Sequence, residues 1–298
     1  SPQAHHRRRL HFVEKRDGRP RYPTIIITPA LNMVKKIVGT GVLLVLALAL
    51  QAGVKMYTLK SPDGKVKLEV TAGQGIAYSL FYDGRLLLKP SRIALHTDLP
   101  EADHWENIRI TGTKQRHVSE TVQAPFYRVK EFGIDCNELE LRLNNGFSLL
   151  MRAYNDGMAY RFVAGRKGEM TVVEERAEFN FADDFEAYIP YSTNPKDPWN
   201  MAFQNFYTKA PLTQYNTELP AFLPLTVDAG AVKLTLLESD LEAYPGMFVC
   251  GDGKTPALKG VFAAYPQETF KNKWRCQETV KTRRPYICLL YTSPSPRD

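Results

Sequence analysis

The side chains that could do chemistry in this 298-residue chain are scattered, and their spacing limits what they can do. Glu238, Asp240 and Glu242 stand together after a strand-like run, and carboxylates so grouped can move protons or ligate calcium. The same spacing describes a solvated loop face, which is the reading adopted for it. Glu174 and Glu175 are neighbours, and in a strand neighbours point to opposite faces, so both are expected in solvent. His5, His6 and His11 precede the main body, while His96, His104 and His117 lack the close spacing of a metal pair. The four cysteines, Cys136, Cys250, Cys276 and Cys288, form no CxxC unit. A Cys250–Cys276 bridge and two buried thiols both fit, the thiols being the simpler account. No GxSxG elbow, phosphate loop or dinucleotide fingerprint occurs, so no residue of this chain is assigned a catalytic role.

One segment has a different kind of chemistry. Pro190–Asn216 gathers Tyr191, Trp199, Phe203, Phe206, Tyr207 and Tyr215 among amides and prolines, with no strand pattern. A connection this long inside a compact domain is functional or disordered, and its ring content argues against disorder. Such rings can form a platform for the apolar face of a sugar. They can equally tuck under a sheet edge as a small satellite core.

The elements that would position this segment are strands. Val66, Leu68 and Val70 alternate with Lys65, Lys67 and Glu69, which puts the apolar set on one face. Leu149–Phe162 reads as two strands around Asn155-Asp156-Gly157, residues that tolerate the backbone of a tight hairpin. Further strand-like runs are Ile76–Tyr82, Arg85–Leu88, Ser91–His96, Phe126–Phe132, Glu138–Leu143, Met170–Glu174, Ala177–Phe181, Phe222–Val227, Val232–Glu238 and Leu258–Tyr265. Turn signals about every 8–12 residues with few helical periods predict a mainly β protein, a large antiparallel sandwich. The expected core includes Val66, Leu68, Val70, Tyr160 and Phe162.

Charge confines the partners. Residues 1–36 carry nine basic side chains against two acidic ones, a surplus equal to the whole-chain net charge of +7. The body is therefore balanced and shows no nucleic-acid footprint. Residues 33–52 have the three parts of a secretory signal: Lys35 and Lys36, the apolar run Ile37–Leu50, and small residues at Ala47, Ala49 and Ala52. Fourteen apolar residues are fewer than the roughly 20 a membrane span needs, so export with no span after cleavage is expected. Because Met33 opens the signal, residues 1–32 read as translated upstream sequence.

Six motifs in order resemble the N-terminal domain of glycoside hydrolase family 97, a family of exported α-glucosidases and α-galactosidases. They are LKSPDGKVKLEV (Leu59–Val70), APFYR (Ala124–Arg128), RAYNDGMAYRF (Arg152–Phe162), FQNFYT (Phe203–Thr208), LPAFLPLTV (Leu219–Val227) and ESDLEAYPGM (Glu238–Met247). The match spans residues 57–281. The resemblance implies an antiparallel β-super-sandwich of the galactose-mutarotase-like kind, followed in the family by a catalytic (β/α)8 barrel. That barrel, the domain's expected partner, is absent here, and residues 282–298 are read as a truncated linker with an artefactual tail resembling adapter read-through. The family's active site takes one calcium ligand from the sandwich, a glutamate whose place is held here by Gln204. A glutamine carbonyl is a neutral and weaker calcium ligand than a carboxylate.

The resemblance thus implies a wall of the active site of an exported α-glycosidase acting on α-linked oligosaccharides. Trp199, Phe203 and Tyr207 would be its substrate contacts and Gln204 its metal ligand, and the piece alone would be inactive. A stand-alone secreted carbohydrate-binding module fits the same signal and aromatic loop. A sugar epimerase on the same sandwich type would need a His/Glu pair in a groove, and the three body histidines all precede Lys130.

Overall fold

A computed structural model describes residues 25–29, 55–126, 128–165, 168–199, 204–239, 244–271 and 278–292. Among them the chain is almost entirely antiparallel strand, with one short 3-10 turn at Leu212–Gln214. The strands are β1 (Ile25–Pro29), β2 (Lys55–Lys60), β3 (Val66–Gly73), β4 (Gly75–Tyr82), β5 (Arg85–Thr97), β6 (Ile110–Gln123), β7 (Glu131–Leu143), β8 (Phe147–Tyr154), β9 (Gly157–Ala164) and β10 (Gly168–Asn180). They continue as β11 (Glu186–Ile189), β12 (Thr208–Pro211), β13 (Leu225–Asp228), β14 (Val232–Leu236), β15 (Met247–Gly251), β16 (Ala257–Phe262), β17 (Pro266–Lys271), β18 (Glu278–Arg283) and β19 (Cys288–Thr292).

Two large sheets form the sandwich. One runs β12-β11-β13-β14-β1-β9-β8-β7-β6, and the other runs β15-β16-β10-β5-β4-β3-β2 with β19 also on β10. The core fills the space between them, because alternate residues of each strand point inward. Val66, Leu68 and Val70 of β3 are fully buried, facing Leu139, Leu141, Leu149 and Met151 of the opposite sheet within one cluster. The predicted hairpin is β8–β9, in register from Phe147↔Ala164 to Tyr154↔Gly157. Tyr160 and Phe162 keep some exposed surface but pack on the core, where Phe162 meets Trp105 edge-on at 5.3 Å and Tyr160 meets Tyr78 at 5.8 Å.

The structure departs from the expected strands in informative places. Residues 1–32 and 287–298 were expected to make few contacts with the sandwich. Instead β1 pairs with both β14 and β9, and β19 pairs with β10 from Gly168↔Thr292 to Val172↔Cys288. An extended segment is accepted wherever an edge leaves backbone groups unpaired, and neither pairing demands an alternating apolar pattern. Phe126–Phe132 is mostly the tip of the long β6–β7 hairpin, and Phe126 is fully exposed there. The predicted signal, residues 33–52, lies outside the described residues. No helix among the described residues is long and apolar enough to cross a membrane.

Candidate functional site

The aromatic segment is held at one end of the nine-stranded sheet. Its entry is β11, which pairs with β13 on one side and β12 on the other. Ala187 and Ile189 of β11 turn inward and are fully buried, so the segment leaves from a fixed base. β12 forms the sheet's edge, where Lys209 reaches Glu186 at 2.7 Å across exposed surface.

Within the segment the rings divide into two sets. Tyr191 packs on Tyr215 with ring centroids 5.0 Å apart, and its hydroxyl accepts the Asn216 N–H at 2.8 Å. The Tyr215 hydroxyl lies 2.7 Å from the Val249 carbonyl and 3.0 Å from that of Leu219, and burial pushes its pKa well up. Trp199 stands edge-on to the buried Phe248 at 4.9 Å. Tyr215 belongs to the main core and Tyr191 packs against it, while Trp199 rests on Phe248. Phe206, in contrast, is 99% exposed and Tyr207 is 46% exposed, with the Tyr207 hydroxyl donating to the Pro224 carbonyl at 3.2 Å. Gln204 is exposed beside them, and the Asn205 amide donates to the Tyr191 carbonyl, tying the exposed run to the anchored set. Phe203 lies outside the described residues.

Of the residues chosen from sequence as contacts, Gln204 and Tyr207 are thus exposed together, while Trp199 is partly engaged by Phe248. Phe206 was not chosen, although its place within the FQNFYT motif pointed to it. Among the described residues no three histidine, cysteine, aspartate or glutamate side chains converge on a possible metal position. Calcium takes six to eight oxygens, of which the Gln204 side chain could contribute one neutral oxygen.

Of the acidic residues taken as solvated, Glu174 is exposed as expected, while Glu175 and Glu238 are placed differently. Glu175 receives a 2.6 Å hydrogen bond from the Tyr244 hydroxyl, and Glu238 accepts the Met247 N–H at 2.9 and 2.8 Å through its two oxygens. The expectation for Glu175 fails because β10 changes register between Val172 and Glu174, which re-aims the residues that follow. Asp240 and Glu242 lie outside the described residues. Elsewhere Glu138, almost fully buried on β7, is clasped by the Arg116 and Arg152 Nε atoms at 2.6 and 2.7 Å. Burial pushes its carboxyl up, but the two guanidinium groups together outweigh this and hold it below the usual range. His96 meets Asp103 at 2.7 Å, His117 meets Asp135 at 3.1 Å, and His104 is exposed. Cys250 forms no disulfide, and Cys276 is outside the described residues.

The described residues thus form a two-sheet antiparallel sandwich with an aromatic segment at one sheet end. Residues 59–284 match the family described as Glycosyl-hydrolase 97 N-terminal, and the chain belongs to that family. It is 38% identical over 248 residues to a retaining alpha-galactosidase of Bacteroides thetaiotaomicron, covering 80% of this chain and 37% of that protein. It is 26% identical over 158 residues to a probable retaining alpha-galactosidase of Streptomyces bingchenggensis, covering 52% of this chain and 24% of that protein. The chain therefore spans well under half the length of these curated relatives. Similar folds include a family 97 enzyme from Pseudoalteromonas sp. strain K8 in complex with acarbose (TM-score 0.57, 16% identity, 79% of this chain and 34% of that one). A beta-arabinopyranosidase is also similar (TM-score 0.60, 19% identity, 79% of this chain and 38% of that one).

Proposed function

We propose that this domain forms one wall of the sugar pocket of an exported α-glycosidase, with α-galactosides as its first candidate substrates. Its partner is a catalytic barrel of the same protein. The observation that carries this reading is the run Gln204–Tyr207 held on an anchored base, with Gln204, Phe206 and Tyr207 exposed. The names of the curated relatives favour galactosides over glucosides. The signal-like residues 33–52 support export, to the periplasm or beyond.

Glycosidic cleavage needs a general acid and a second carboxylate flanking the anomeric carbon, about 5–5.5 Å apart in a retaining enzyme. Those groups belong to the barrel in this reading. The sandwich contributes shape: Phe206 and Tyr207 offer apolar ring surface, Trp199 stiffens the base behind them, and Gln204 offers an amide to substrate hydroxyls. Where a calcium ion is bound by the barrel, Gln204 would be this chain's candidate to lend it one neutral oxygen.

The test has two arms. The purified chain should release no sugar from aryl α-galactosides or α-glucosides, with or without calcium. Added to the catalytic portion of the Bacteroides relative, expressed without its own sandwich, it should restore hydrolysis, and Gln204→Ala should reduce that restoration. Hydrolysis by the chain alone, abolished by changing a carboxylate within residues 57–281, would overturn the assignment.

A further inference from the structure

One pair of strands belongs to neither layer of the sandwich. Among the described residues β17 and β18 pair only with each other, from Pro266↔Arg283 to Lys271↔Glu278. Every residue of β17 is exposed, and β18 is exposed or half-buried throughout. Phe270 stands opposite Thr279 and is 50% exposed, while Val280 stands opposite Thr269 on the other face. The side-chain contacts across the ribbon are polar: Lys281 meets Glu268 at 3.2 Å, and the Thr269 hydroxyl donates to Glu278 at 3.3 Å. Exposed contacts of this kind contribute little, and a lone two-stranded ribbon is marginal in water.

The root of the ribbon, in contrast, is fixed. The Tyr265 N–H donates to the Tyr286 carbonyl at 2.8 Å, the Arg284 N–H donates to the Tyr265 carbonyl at 2.7 Å, and the two tyrosine rings lie 5.6 Å apart. The Arg283 guanidinium donates to the Ala264 carbonyl at 2.8 Å, and Ile287 just beyond is buried with its N–H on the Val172 carbonyl of β10. The ribbon is thus held at one end by the sandwich, while its two faces lie open.

Size and position choose the occupant. Two strands of six residues make a face about 20 Å long and 10 Å wide, roughly 200 Å². Each partner of a stable complex contributes roughly 800 Å², so this face cannot by itself hold a second copy or a free protein. It can dock a portion of its own chain, which a short tether keeps at about millimolar effective concentration. The match to the family described as N-terminal runs to residue 284, immediately after β18, and most of the length of the curated relatives lies outside the region they share with this chain. We infer that β17–β18 is a docking strap for the portion of the protein that follows it, ordered by that portion and not by the sandwich. The strap rests on the reading of this chain as the first domain of a longer enzyme, and not on which sugar that enzyme cleaves.

Hydrogen exchange tests the strap, on the 298-residue chain alone and on residues 1–284 fused to the catalytic portion of the Bacteroides relative. In the chain alone the β17–β18 amides should exchange at least about 100 times faster than those of the β8–β9 hairpin, because an unsupported ribbon opens locally. In the fusion they should slow by about ten-fold or more. Phe270→Ser should undo most of that slowing, yet move the melting midpoint of the chain alone by less than about 1 °C. Three results each overturn the inference: ribbon amides as slow as the hairpin's in the chain alone, equal ribbon exchange in chain and fusion, or a fall of several degrees from Phe270→Ser in the chain alone. Sugar release by the same fusion separates the strap from the pocket wall. Hydrolysis with an unprotected ribbon removes the strap and leaves the wall, and a protected ribbon without hydrolysis does the reverse. Should the fusion not fold, the catalytic portion is added to the chain as a separate protein, where slowed ribbon exchange supports the strap and unchanged exchange at the highest concentration refutes it.

Discussion

The β8–β9 hairpin and the segment between β11 and β13 are both rich in rings, yet they use them in opposite directions. In the hairpin, strict alternation sends Tyr160 and Phe162 to the same inner face, where they join Tyr78 and Trp105. In the aromatic segment no period governs direction, and each ring is placed by its own partner: Tyr191 by Tyr215, Trp199 by Phe248, Phe206 by nothing described. A repeating backbone makes ring direction a property of the pattern. An irregular one makes it a property of individual contacts. The difference separates what supports this molecule from what it presents.

The comparison breaks first if the hairpin is not structural. Leu149 is fully buried and pairs with Phe162, so Leu149→Ala should cost about 3 kcal/mol, lost transfer energy plus an unfilled cavity. A denaturant titration reporting a loss below about 1 kcal/mol would show the hairpin to be peripheral. A smaller effect is expected on the outer face of the neighbouring strand β7, which pairs with β8. Glu138→Gln removes the charge clasped by Arg116 and Arg152, and because Arg116 is more than half exposed the cost should be about 2 kcal/mol, not the larger loss of a fully buried pair. Its carboxyl is held low in the native state, so this contribution is present above the ordinary glutamate range and lost as pH falls through the native value. The variant and parent should converge in stability at low pH. A gap that stays constant down to pH 2 would mean packing, not charge, holds that face.

The sequence carried the sandwich where apolar residues alternate, as in β3, β4, β8 and β14, whose expected and observed bounds nearly agree. It did not carry β6, because Ile110–Gln123 is an edge strand that is mostly exposed and mostly polar, with Val118 its one buried side chain. The run at Phe126–Phe132 misled for the opposite reason: its apolar side chains sit at a hairpin tip, where Val129 and Phe126 face solvent. β10 read as two strands because its register change interrupts the alternation, and the same change hid the inward turn of Glu175. For the candidate site, composition marked the segment but could not sort its rings. Sorting needed Phe248 and Val249, far along the chain.

Between support and presentation lies Tyr215. Its ring is buried against Tyr191, and its hydroxyl serves the carbonyls of Val249 and Leu219. Tyr215→Phe keeps the ring and removes its hydroxyl donor, while the Val249 carbonyl keeps the Ala221 N–H, so a loss of about 1 kcal/mol is expected. A loss of about 3 kcal/mol or more would mean that the hydroxyl, and not the ring, fastens the segment's base to the main core.

The smallest effect on stability should fall on Phe206. Its ring is 99% exposed, so Phe206→Ser removes no native contact and should change the melting midpoint by less than about 1 °C. The same substitution should matter only when the surface is covered. Burying a phenylalanine contributes about 2 kcal/mol, which corresponds to roughly 30-fold in an association constant. Restoration of hydrolysis in the separated catalytic portion of the Bacteroides relative should therefore need about 30 times more of the Phe206→Ser chain, at unchanged maximal rate. Two results would break the comparison from the other side. A fall of several degrees in the isolated chain would make Phe206 part of its own packing, and unchanged complementation would mean the exposed ring is not where the barrel docks.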